Sequence, residues 1–150
     1  MQLNGMILTF PKEIKLLIAA FILVLSVGFY SGLLFVGETS TVNPNGIEEQ
    51  YLGNENNEDA TVMKFKKSEQ EMLTLVHNHI LSMSIIFFLV GLILSTTKLN
   101  KSLKMFLIIE PFLSVILTFG GLYLLWTGLL WMKYVVILSG ILMTLTFTVS

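Results

Sequence analysis

Residues 68–97 read SEQEMLTLVHNHILSMSIIFFLVGLILSTT, a helix-start signal followed by both histidines of the chain and then a long apolar run. Ser68-Glu69-Gln70-Glu71 has the form of a capping box: the Ser68 hydroxyl accepts from the Glu71 amide while the Glu71 carboxylate reaches back to the Ser68 amide. Glu69 and Glu71 also fall in the first turn, where the helix dipole favours negative charge. No residue from Met72 to Thr97 is charged. That run makes about 39 Å of helix against a hydrocarbon core of about 30 Å. Its first turns therefore stand at or above a membrane surface, or the helix tilts.

Composition extends this reading to the whole chain. Across 150 residues, 54% are hydrophobic and 13% charged, whereas a soluble domain carries about a quarter charged residues. An integral membrane protein is expected, in contact with the lipid bilayer. A net charge of −1 gives no footprint for nucleic acid, and all nine basic residues are lysine. The absence of cysteine excludes thiolate catalysis, disulfide exchange and Cys-based metal sites. No HExxH, GxSxG or phosphate-loop pattern is present, so nothing marks an enzyme.

Working outward from residues 68–97, three further spans follow from hydropathy: about 14–36, about 103–126 and about 129–149, each long enough for one crossing. The first is too long for a signal-peptide core and lacks a small-x-small cleavage site, so it reads as a retained anchor. Its Gly28 and Gly32 form a small-xxx-small pair suited to close helix approach. Residues 37–67 form the polar connection, with a turn signal at Asn43-Pro44-Asn45-Gly46, an acidic run from Glu48 to Asp59, and then Lys64, Lys66 and Lys67. This segment reads first as a solvated loop. The sharper alternative is a small folded cap held by Ile47, Tyr51, Leu52, Val62, Met63 and Phe65. The third span is interrupted by Glu110-Pro111, Thr127-Gly128 makes a tight turn, and Trp126, Trp131 and Tyr134 cluster there as an interfacial belt would. The expected fold is an all-α membrane protein, four transmembrane helices in an up-down antiparallel bundle. Lys12, Lys15, Lys98, Lys101 and Lys104 place both termini in the cytoplasm by the positive-inside rule, with loop 37–67 outside a bacterial cytoplasmic membrane.

Each span carries one small or polar face. Ser26 and Tyr30 align on the first. Gln70, Thr74, His77, Ser84, Gly91 and Ser95 align on the second, with Leu81 and Phe88 on the same stripe. Glu110, Ser114, Thr118 and Gly121 align on the third, and Lys133, Ile137, Gly140, Thr144 and Thr148 on the fourth. Such faces suit helix packing in lipid. Ionisable groups at membrane depth ask for more. Tyr30, Glu110, Ser114, Thr118 and Lys133 are the candidate intramembrane polar residues, with Tyr30, Lys133 and the histidines toward the outer face. Glu110 lies near the inner face, within reach of a lysine pairing or of a role in proton or ion handling. His77 and His79 sit about 200° apart on a helix and cannot chelate one ion together. His79 with Met83 one turn on is a candidate Cu(I) pair, and His77 a candidate axial haem ligand.

Three functions follow from these residues. The leading one is a non-enzymatic accessory or subunit-type protein that acts through its outer loop and glycine-bearing helix faces, as a homo-oligomer or within a larger membrane complex. A haem- or copper-binding respiratory-membrane protein using His77, His79 and Met83 is the alternative. A small transporter or proton-coupled channel subunit using Glu110 is the third.

Overall fold

The computed structural model describes residues 3–40, 44–55 and 62–150. Among them every regular element is helical. A long helix α1 covers Lys12–Ser40, a short α2 covers Pro44–Leu52, and α3 covers Glu69–Ser95. Span 3 is composite: α4 (Lys101–Val115), a π-helical turn (Ile116–Gly120) and α5 (Gly121–Trp126) run end to end. The chain closes with α6, Met132–Val149. Four helices are long and apolar enough to cross a membrane: Lys12–Glu38, Glu69–Ser95, Lys101–Trp126 and Met132–Val149.

Local signals fix several ends. The capping box forms: Glu71 N donates to Ser68 Oγ at 3.3 Å, and Ser68 N donates to Glu71 Oε2 at 2.8 Å. Span 3 ends in a Schellman motif. Leu129 N bonds the Leu124 carbonyl at 3.1 Å and Gly128 N the Leu125 carbonyl at 3.0 Å. Gly128 sits at φ +112, a conformation only glycine takes without strain.

Span 3 is the centre of the molecule. Half of its apolar window is buried, against 22% for α3 and 33% for α6. Met72, Phe87, Val115, Phe119, Leu122, Leu125, Met132, Val136 and Met143 form its core. Two pairs fix the register against α6: Thr118 with Ser139, and Gly121, where an added methyl would lie 2.9 Å from Val136 Cγ2. The residue numbers fall on one helix as they rise on the other, so the two are antiparallel. α3 is antiparallel to span 3 by the same logic, with His79 on Phe119 and Gly91 beside Ile108. α1 differs, since none of its apolar window is buried. It touches α6 where Phe29 stacks on Phe147 at 4.0 Å and Tyr30 Oη meets Thr148 Oγ1 at 2.8 Å.

The connection between α1 and α3 departs from a plain loop. Pro44 opens a helix in place of the expected turn, because its fixed φ and missing N–H suit a first helical turn. Asn43 of that turn signal and residues 56–59 of the acidic run lie outside the described residues. The cap is held by half of the residues expected. Ile47 joins the core, and Tyr51 and Leu52 pack against it, while Val62, Met63 and Phe65 stay exposed. Burial pushes the Tyr51 phenol up from its ordinary pKa, so the ring stays neutral in the cap. Asn54 clasps the returning segment: its Oδ1 accepts from Lys64 N at 2.7 Å and its Nδ2 donates to the Val62 carbonyl at 3.0 Å. Trp126 Nε1 donates to the Lys67 carbonyl at 2.8 Å, and Lys133 Nζ pairs with Glu48 Oε2 at 2.6 Å. Both contacts tie the cap to the spans.

Candidate functional site

The polar groups of span 3 converge on one buried seam. Positions 110, 114, 118 and 121 recur every three or four residues, and Glu110, Ser114, Thr118 and Gly121 all lie on the buried face. Ser114 Oγ donates to Glu110 Oε1. Glu110 is 7% exposed and Ser114 1%, and the second carboxyl oxygen, Oε2, is buried with no hydrogen-bond partner. One turn further, Thr118 Oγ1 and Ser139 Oγ lie 2.7 Å apart. Either hydroxyl can donate in that pair, and Ser139 Oγ also lies 2.8 Å from the Val135 carbonyl. Carried down α6, the same register brings buried Thr146 level with Glu110 and Pro111.

The backbone here is irregular too. Pro111 has no N–H, so the Leu107 carbonyl lacks its helical donor. The π-helical turn begins five residues later, at Ile116. Backbone of this kind at membrane depth is tolerated where it is buried in protein, and π-bulges recur at functional sites.

Lys104, the lysine nearest Glu110 along the chain, is engaged elsewhere. Lys104 Nζ bonds the Ser95 carbonyl at 3.2 Å, the Thr97 carbonyl at 2.5 Å and Asn4 Oδ1 at 2.9 Å. It caps the C-terminal end of α3, where a cation favours the helix dipole. Among the described residues, the ion pair present is Lys133 with Glu48.

Of the five candidate polar residues, three come together and two do not. Glu110, Ser114 and Thr118 share the seam. Lys133 belongs to the cap, six residues up α6 from Ser139, or about 9 Å. Tyr30 bonds Thr148 at the opposite end of α6 from Lys133, so the two do not share a level. Ser139 and Thr146, which complete the seam, escaped the sequence reading. The stripe expected on α6 was Lys133, Ile137, Gly140, Thr144 and Thr148, whereas the buried one is Met132, Val136, Ser139, Met143 and Thr146. The true stripe alternates steps of four and three throughout, and the expected one breaks that alternation at Thr148.

The metal and haem candidates all lie on α3. His77 and His79 are both exposed and Met83 half-buried. His79 Nδ1 bonds the Leu75 carbonyl at 2.8 Å, and its ring stacks on Phe119 with centroids 4.7 Å apart. Among the described residues no three His, Asp or Glu side chains gather at metal-binding distance.

A helical core of three packed spans, a fourth apolar helix and a buried polar seam define an integral membrane protein of the transmembrane helical-domain class. Residues 41–150 match a family model of that description, and the chain belongs to this family, Aq_1264_TM. The match takes in α2 to α6 and leaves α1 outside. No curated protein and no solved structure matches the chain.

Proposed function

We propose that the protein is a non-enzymatic, subunit-type membrane protein whose task is association. The observation that supports this is α1: it is apolar enough to span the membrane, yet buries none of its window on its own chain. Gly28 and Gly32 have no atom within 4 Å of where a side chain would start, so a flat face stands open for a neighbouring helix. We place both termini in the cytoplasm of a bacterial cell and the cap outside, on the strength of the five lysines at the opposite end. A reporter fused after Ser150 should be active in the cytoplasm. Periplasmic activity inverts the topology. Affinity purification from native membranes in mild detergent should recover a stoichiometric membrane partner that is lost in the Gly28→Leu/Gly32→Leu variant. A chain that copurifies with nothing, or that carries haem or copper lost in His77→Ala or His79→Ala, would falsify the reading.

The unpartnered Oε2 of Glu110 favours a second reading, in which the seam takes up a proton or small cation as part of a transporter or channel subunit. Here Glu110→Gln in proteoliposomes should abolish flux. Flux that survives the substitution removes this reading.

A further inference from the structure

We propose that the face of α3 opposite the core is the contact between two copies of this chain in the membrane. The face holds Thr74, His77, Asn78, Leu81, Ile85 and Phe88, all exposed. At about 100° per residue it lies on the far side of the helix from Met72, Met83, Phe87 and Val90. Its depth follows from the packing. His79 stacks on Phe119, seven residues before Trp126 at the cap end. Seven residues of helix rise about 10 Å, so His77 and Asn78 sit about 7–9 Å below the aromatic level, where headgroups give way to acyl chains.

Lipid solvates Leu81, Ile85 and Phe88, but it cannot satisfy an imidazole or an amide. Elsewhere most hydroxyls of α3 and its C-terminal end solve this locally, half-buried Ser84 being the exception among the described residues. Ser82, Ser95, Thr96 and Thr97 each donate to a carbonyl of their own helix. The side chains of Thr74, His77 and Asn78 make no such bond among the described residues. They are polar groups at membrane depth that await a partner from outside the chain.

The chemistry of the face fits a second copy. No residue from Met72 to Thr97 is charged, and asparagine and neutral histidine each carry both a donor and an acceptor. A two-fold axis along α3 sets Asn78 against its own counterpart, where two amides satisfy one another across the interface. Like charges stay off that axis. In the first turn the seam position is neutral Gln70, and the Glu71 carboxylate is folded back onto Ser68 N. Gln70, Thr74, His77 and Leu81 step by four, three and four, the spacing of a left-handed helix pair.

The inference rests on the reading of the chain as an association module, and the test separates the two. The chain has no cysteine, so single cysteines report contacts cleanly. Full-length Leu81→Cys in phospholipid vesicles should give a covalent dimer on oxidation. Leu138→Cys, exposed on α6, should not. In the Leu81→Cys background, Asn78→Leu should raise the dimer dissociation constant roughly 3- to 30-fold; because Asn78 lies outside the core, the fold is left alone. The inference is overturned by no more dimer from Leu81→Cys than from Leu138→Cys, by an unchanged constant in Asn78→Leu, or by a Leu81→Cys adduct in native membranes that contains a different protein. A chain that dimerises through α3 but copurifies with nothing keeps the dimer and loses the α1 reading.

Discussion

Two helices of this chain are similarly apolar and similarly long, and they relate to the rest of it in opposite ways. Lys101–Trp126 has half of its window buried, and Lys12–Glu38 has none. Both are long and apolar enough to cross a membrane, and apolarity is silent on what either packs against. What separates them is the placement of the few residues that are not large and apolar. Span 3 puts Glu110, Ser114, Thr118 and Gly121 on one face, and α6 meets that face with Ser139 and Met132. α1 carries the more familiar small-xxx-small pair, Gly28 and Gly32, and its face is open. A small-residue motif prepares a helix for a close neighbour without specifying that the neighbour belongs to the same chain.

The largest expected effect breaks this comparison directly. A leucine at Gly121 must displace Val136 and Met132, whose atoms lie 2.9 and 3.2 Å from the first added carbon. We expect it to destabilise the domain by about 1–3 kcal/mol in a detergent denaturation series, as overpacking does. Gly32→Leu should stay within about 0.5 kcal/mol of wild type. Equal losses from the two variants would mean that α1 packs on its own chain after all.

A second, smaller effect concerns the cap alone. Gly53 sits at φ +85, and a methyl there would lie 2.8 Å from Lys66 N and 2.9 Å from the Lys64 carbonyl oxygen. Gly53→Ala should open the cap by about 1–2 kcal/mol, the cost of a left-handed non-glycine residue. Trypsin cleavage at Lys66 and Lys67 should then quicken roughly tenfold while helical content holds. Loss of helix along with the cap would show that α3 depends on α2 more than its own capping box implies.

These features differ in how far they could be read ahead of the fold. The capping box and the Thr127-Gly128 turn were legible because each is decided by residues within one turn of each other. The span 3 face was legible because Glu110 anchors it. The α6 face was misplaced by one residue, about 100° of rotation, since Lys133 and Gly140 drew the stripe toward themselves. Lys133 answers to Glu48, a partner 85 positions away, and no local pattern contains that distance. The short helix α2 was missed for the same reason. Pro44-Asn45-Gly46 is a turn by its own chemistry and becomes a first helical turn once Ile47 has a core to enter.

The smallest effect sharpens the comparison most. Each region makes a side-chain hydrogen bond to α6 among the described residues: Thr118 with Ser139 from span 3, and Tyr30 with Thr148 from α1. Their lengths, 2.7 and 2.8 Å, are nearly equal. Their surroundings are not, since Thr118 and Ser139 are buried and Tyr30 and Thr148 exposed. Thr148 also keeps its own helical carbonyl, Thr144 O at 2.8 Å, when Tyr30 leaves. Polar pairs between membrane helices couple by about 0.6 kcal/mol on average. A double-mutant cycle of Thr118→Val with Ser139→Ala should reach or exceed that figure. The cycle of Tyr30→Phe with Thr148→Val should fall near zero, because both groups are exposed and Thr148 keeps its own helical acceptor. A coupling in the second cycle as large as in the first would assign α1 to the packed core and leave its glycine face without the role proposed for it.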